Sequence, residues 1–161
     1  WTTPCTSPDE NGQGEPFCCY MYGLFMAEVA VDITTGKTAV EKLTMIADIG
    51  KVNNRLVTDG QLYGGLAQGI GLALTEDYED IKKHSTLIGA GLPYIKDVPD
   101  DIELIYLDNS RKDGPFGASG VGELPHPAPH AATIHAIYPA SGPRVRHLPA
   151  RPYHVLAALH T

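Results

Sequence analysis

Cysteine is scarce in this chain, which has only Cys5, Cys18 and Cys19. An odd count with two adjacent residues does not describe a disulfide framework, because neighbouring cysteines rarely bond to each other. The C-x-x-C type spacings that hold zinc or iron–sulfur clusters are absent. We read all three as reduced thiols of a cytoplasmic protein, with no metal or cluster held by cysteine. Long apolar runs are missing too: none approaches the ~18 residues that cross a bilayer, so no membrane partner is expected. Positive charge is thin, with 12 Lys and Arg against 19 Asp and Glu and a net charge of −7. That balance argues against nucleic acid or an acidic membrane as partner. The few basic residues are scattered, apart from Arg144, Arg146, His147 and Arg151. The sequence opens on Trp1 and has nothing like a signal peptide before Phe17. We therefore expect a processed product or a piece of a larger chain.

What is present suits a globular domain. With 161 residues, 43% hydrophobic and 19% charged, the chain can bury a sizeable core. Residues 1–16 read as an irregular lead-in rich in Pro, Gly and acids, and residues 17–161 as the folded portion. Phe17 to Val31 and Ala39 to Asp48 read as two strands, joined at Thr34-Thr35-Gly36-Lys37 into a hairpin. Thr86–Leu92 and Ile102–Leu107 read as further strands. Ala131–Tyr138 reads as a short helix broken by Pro139 to Pro143. Arg144–Pro149 reads as a short strand or extended segment, and Tyr153–Leu159 as a last helix opened by Pro152. The class expected is α+β, with mixed strands, a glycine-rich helix and C-terminal helices.

Two stretches are unusual. In Thr58–Thr75, Leu62, Leu66, Ile70 and Leu74 recur as one apolar helical stripe. Thr58 and Gln61 have the spacing of a capping box, which sets the expected helix start at Thr58 or Asp59. Yet this helix carries Gly60, Gly64, Gly65, Gly69 and Gly71, each costing roughly 1 kcal/mol against alanine. Close packing against a backbone or a ligand is the usual reason for such a weak helix. Gln61 and Gln68 share a face, with Gly64 and Gly65 between them. Gln61 is either a capping amide or a ligand contact, and Gln68 either a packing amide or part of a polar groove. The second stretch, Gly114 to Pro125, has four glycines in nine residues and one carboxylate, Glu123, at its end. It is either a tight turn with a solvated glutamate or a bare loop that cradles an anionic or electronegative group.

Other motifs fail on inspection. Gly117-Ala-Ser119-Gly-Val121 lacks the last glycine of a hydrolase elbow. Gly120-Val-Gly122 lacks the third glycine of a dinucleotide loop. Pro127 and Pro129 prevent a helix from placing His126 and His130 on one face, which counts against a zinc site with His135.

Asp48-Ile-Gly-Lys-Val-Asn-Asn54, Gly60-Gln-Leu-Tyr-Gly64-Gly-Leu-Ala-Gln68-Gly-Ile-Gly71 and Gly120-Val-Gly-Glu-Leu-Pro125 together resemble the C-terminal molybdenum-binding region of the xanthine oxidase family. The resemblance runs from about Gly12 to the end, through Arg146-His-Leu-Pro-Ala-Arg-Pro152, and is strongest toward bacterial molybdenum aldehyde oxidoreductases. It implies part of a larger molybdopterin-binding domain, with the cofactor in its cytosine dinucleotide form and [2Fe–2S] clusters elsewhere in the enzyme. It also implies oxidation of an aldehyde to a carboxylic acid with oxygen from water. Glu123 would be the general base beside molybdenum, without ligating it. Gln61 and Thr58 would contact the pterin, and Ser119, Gly120, Val121 and Gly122 would face the cofactor through backbone N–H groups. The partners implied are an aldehyde substrate, the remainder of the parent enzyme and a possible second copy in a homodimer. The alternatives are another molybdenum hydroxylase acting on purines or N-heterocycles, or a non-catalytic cofactor-binding or assembly domain.

Overall fold

The computed structural model describes residues 4–142 and 144–160. The first three residues of the expected lead-in, Pro143 and Thr161 lie outside them. Residues 4–16 contain no helix or strand, and the first strand, β1 (Tyr22–Val31), begins later than expected. It pairs antiparallel with β2 (Thr38–Asp48), from Tyr22 opposite Asp48 to Val31 opposite Thr38, with a bulge at Glu28/Val29. The Asp32 carboxylate closes the hairpin, accepting from the Thr34 N–H at 2.8 Å and the Thr35 hydroxyl at 2.8 Å. Gly36 takes the positive φ of 74° that the turn requires. On its other edge β2 pairs with β3 (Asp101–Tyr106), and this pairing is parallel. A parallel neighbour needs a crossover, and residues 49–100 supply it.

The crossover contains α1 (Arg55–Leu74), which begins earlier than the capping-box spacing indicates. Asn54 is the N-cap, its side-chain oxygen accepting from the Val57 N–H at 3.1 Å. Thr58 therefore lies inside the helix, and Gln61 is released from any capping role. Leu62, Leu66 and Ile70 are fully buried against Leu43, Met45 and Ala47 of β2. Burial of a large aliphatic side chain contributes about 1.5–3 kcal/mol, so this stripe offsets the several kcal/mol lost through the glycines.

Thr86–Leu92 is not a strand. Its centre is a one-turn helix, α2 (Leu87–Ala90), because the Thr86 hydroxyl accepts from the Gly89 N–H at 3.0 Å and Gly91 turns left-handed at φ 76°. Local capping outweighs the β preference of its apolar residues. The helix α3 runs from Pro129 to Ser141, wider at both ends than Ala131–Tyr138. Pro129 sits in the first turn, where its missing N–H costs nothing. Pro139 falls in the last turn and does not break the helix there; Ser141 Oγ donates to the Ile137 carbonyl at 2.7 Å. Residues 144–149 do not join the sheet. The chain then closes on α4 (Pro152–Leu159), where buried Val155 meets Ile137 of α3 and Ala150 in a second small core. The whole is a three-stranded mixed sheet with helices, the α+β class expected.

Candidate functional site

The glycine loop is pinned to the end of β2 from several directions. Arg111 Nη2 donates to Asp48 Oδ1 at 2.7 Å and to the Tyr20 carbonyl at 3.3 Å, while Asn109 Nδ2 donates to Asp48 Oδ2 at 2.9 Å. Burial pushes the Asp48 carboxyl up. Hydrogen bonds from Asn109, the Gly50 N–H and Arg111, with the Arg111 charge, together outweigh that and hold it below the usual carboxylate range. The Gly117 carbonyl accepts from the N–H groups of Lys51 and Arg111, and the Ser119 N–H donates to the Ile49 carbonyl at 2.8 Å. Gly50 has φ 71°, and a side chain there would strike the Gly117 carbonyl. The Asp48-Ile-Gly50 motif is thus the seat on which residues 114–123 rest. Arg111 completes it but carries no sequence signal, since its partner is 63 positions away.

A second anchor crosses from α1. Gln61 Nε2 donates to the Gly122 carbonyl at 2.8 Å, joining residues 61 positions apart. This bond links the two glycine-rich stretches directly. It leaves Gln61 Oε1 and the second amide hydrogen without a partner among the described residues. The glycines of α1 divide into two groups. A side chain at Gly65 would overlap the Pro125 ring, one at Gly69 would overlap Pro129, and one at Gly71 would strike Glu76. Gly60 and Gly64 meet nothing within 4 Å. Only the second group, with Gln61 and Gln68, forms the bare polar face; Gly65 belongs to the packing face.

At the loop itself, Gly122 also faces open space, and a side chain at Gly120 would meet only Met21 Sδ at 3.6 Å. The N–H groups of Val121, Gly122 and Glu123 have no partner among the described residues. The Ser119 hydroxyl is buried and without a partner among the described residues, an arrangement that costs free energy unless something else supplies the bond. Because the Ser119 N–H is taken by Ile49, the hydroxyl is the group that Ser119 can offer. Glu123 is exposed and its carboxylate has no hydrogen bond or ion pair within the described residues. Thr58 is buried one turn before Gln61. The loop and the bare helix face therefore fit a flat, polar, electron-rich group: free donors, an orphaned hydroxyl and no side chains in the way. His126 precedes α3 while His130 lies within it, and no group of three or more His, Cys, Asp or Glu able to hold a metal occurs among the described residues.

The fragment is thus a mixed sheet that seats an anchored glycine loop beside a glycine-faced helix. The sequence model of the molybdopterin cofactor-binding domain matches residues 1–99. The chain belongs to that family. It is 62% identical over 149 residues to an aldehyde oxidoreductase of Megalodesulfovibrio gigas, covering 92% of this chain and 16% of the relative. The crystal structure of the aldehyde oxidoreductase from Desulfovibrio desulfuricans superposes with a TM-score of 0.92 at 67% identity, over 98% of this chain and 17% of that one. Quinoline 2-oxidoreductase from Pseudomonas putida gives a TM-score of 0.72 at 28% identity, over 81% and 17%. The chain thus spans about one-sixth of the length of the proteins it matches.

Proposed function

We propose that this chain forms the base-bearing wall of the active site in a molybdenum-dependent aldehyde oxidoreductase. The observation that carries the reading is the Gln61–Gly122 hydrogen bond, which holds the open face of α1 and the loop of Glu123 as one surface. The aldehyde rather than N-heterocycle assignment is supported by 62% identity to an aldehyde oxidoreductase against 28% to quinoline 2-oxidoreductase. When bound, the molybdopterin cofactor supplies the two-electron oxidation, with oxygen originating in water. We take the cofactor to be the cytosine dinucleotide form, a choice checked by release of cytidine monophosphate on acid hydrolysis.

The chain's own residues then have distinct tasks. Val121, Gly122 and Glu123 offer N–H donors to the cofactor, Ser119 offers its hydroxyl, and Gln61 offers the free half of its amide above Thr58. Glu123 accepts at a carboxylate oxygen the proton of the water-derived hydroxyl that attacks the aldehyde carbon. A base of that kind needs position first and a matched pKa second. The anchors at Asp48, Arg111 and Gln61 supply the position. Water exclusion comes from elsewhere in the enzyme, since Glu123 is exposed in this chain.

Glu123→Gln in the full-length enzyme tests the reading, because it keeps size and hydrogen bonding but removes the proton acceptor. The expected loss in kcat is about 10²–10⁴-fold with molybdenum content unchanged. A variant with normal molybdenum and a loss of less than about tenfold, too small for a general base, reduces Glu123 to a structural residue.

A further inference from the structure

Three of the four basic residues that stand out near the end of the sequence, Arg144, Arg146 and His147, come together around a cavity that the proposed active site does not use, while Arg151 pairs with Asp77 instead. It has a volume of about 780 Å³ and lies between α3 and residues 144–148, lined by His130, His135, Tyr138, Arg144, Arg146 and His147 among others. That volume is in the usual range for small-molecule sites. None of its lining residues is Asp or Glu. In a chain with seven more acids than bases this segregation is unusual, and neither Arg144 nor Arg146 forms an ion pair among the described residues. The Arg144 guanidinium is held over the Tyr138 ring at 4.2 Å, which fixes its plane without neutralising its charge. His147 Nδ1 lies 3.1 Å from the Leu148 carbonyl, and its ring leans on His154 at a tilt of 35° with centroids 4.5 Å apart. The His130 Nδ1 atom is buried and has no hydrogen-bond partner among the described residues.

We propose that this cavity binds a phosphate-bearing small anion. Two unpaired guanidiniums suit phosphate oxygens, which accept forked, charge-assisted hydrogen bonds. His130 and His135 line the same cavity beside them. The apolar floor of Ile134, Val145 and the Tyr138 ring leaves room for a flat group attached to the phosphate. The cavity shares no residue with Thr58, Gln61 or Ser119–Glu123, which sets it apart from the residues proposed to face the cofactor.

The test is calorimetric titration of inorganic pyrophosphate into the full-length, cofactor-loaded enzyme. The wild type should bind, and Arg144→Gln/Arg146→Gln should bind at least tenfold more weakly, the loss expected for two charge-assisted contacts. Ala131→Glu, an exposed cavity-lining position, adds a carboxylate without removing any group and should abolish binding even if the double variant folds poorly. Adenosine and cytidine 5′-diphosphates then separate the sources. Tighter binding than pyrophosphate, lost in Tyr138→Ala, marks a nucleotide; equal binding marks the phosphate alone, and either supports the site. Absence of binding by the wild type, or unchanged affinity in folded Ala131→Glu, overturns it.

Discussion

The ring of Pro125 occupies the space in which a side chain at position 65 would begin, and Pro129 does the same one helical turn further along at Gly69. Both prolines are fully buried. The glycines of α1 and the prolines after Glu123 are thus two halves of one interface, matched in their four-residue spacing. That interface fixes where the loop of Glu123 leaves the helix, as the Gln61–Gly122 bond does one turn earlier.

This division predicts opposite signs for the same substitution. Gly65→Ala must displace the Pro125 ring and should lower stability by about 1–3 kcal/mol, as overpacking does, despite a helix-propensity gain of up to about 1 kcal/mol. Gly60→Ala meets nothing within 4 Å and should raise stability of the cofactor-free enzyme by up to about 1 kcal/mol. Thermal unfolding of both variants in the full-length enzyme checks the pair; equal shifts would contradict it.

Gln61→Ala should show itself in cofactor occupancy more than in stability. Its bond to the Gly122 carbonyl is solvent-exposed and contributes about 0.5–1.5 kcal/mol. In the function proposed above, its free amide half would contact the cofactor. Molybdenum per protein, measured by mass spectrometry on the purified full-length variant, should fall while the unfolding midpoint shifts by only a few degrees. Unchanged occupancy would leave Gln61 as a loop tether only.

The Asp48–Arg111 pair should make the seat of the loop acid-sensitive. The Asp48 carboxyl is held below its ordinary value in the folded chain despite the opposing effect of burial. A carboxyl depressed by folding contributes stability that is fully present above its unfolded value, about 4, and is lost as pH falls through the folded value. The stability advantage of wild type over Asp48→Asn should therefore be constant from about pH 6 to 8 and shrink on acidification below about pH 4. Arg111→Met, which removes the counter-ion of the mostly buried Asp48 carboxylate and leaves it only Asn109 and the Gly50 N–H, should cost about 1–3 kcal/mol at neutral pH. Denaturant unfolding at several pH values separates these outcomes, and a pH-independent difference would remove Asp48 from the account.

The 161-residue chain alone should hold the molybdenum cofactor poorly and oxidise no aldehyde. It spans about one-sixth of its relatives, Glu123 is exposed, and large apolar side chains such as Leu24, Met26, Leu56 and Val57 lie open. Aldehyde turnover by the purified chain after addition of cofactor would refute this.

The β1–β2 hairpin was legible because Asp32 and Gly36 act within their own turn, and local chemistry is what sequence pattern reports. The apolar stripe of α1 was legible for the same reason, as was α4 behind Pro152. The start of α1 was misplaced because Thr58 and Gln61 imitate a capping box, whereas Asn54 had already capped the helix. The apolar residues of Thr86–Leu92 favour a strand, but the Thr86 cap and the left-handed Gly91 decide otherwise. Pro139 has the signature of a breaker, yet near its C-terminus α3 has little helix left to break.

The sequence by itself determined the chemistry available: a bare loop ending in Glu123, a helix stripped of side chains on one side, and basic residues gathered near one end. Its motifs, taken together, also pointed to the family. Tertiary structure decided what each of these is for. Only folding shows that Gly65 and Gly69 are there for prolines 125 and 129 while Gly60 and Gly64 stay open. Only folding pairs Gln61 with Gly122, seats the loop on Asp48 through Arg111, and turns Arg144 and Arg146 toward a common cavity. The reason is physical: residues some 60 positions apart meet through the parallel β2–β3 crossover and the α1–α3 packing, and nothing local in the chain records which partner each will meet.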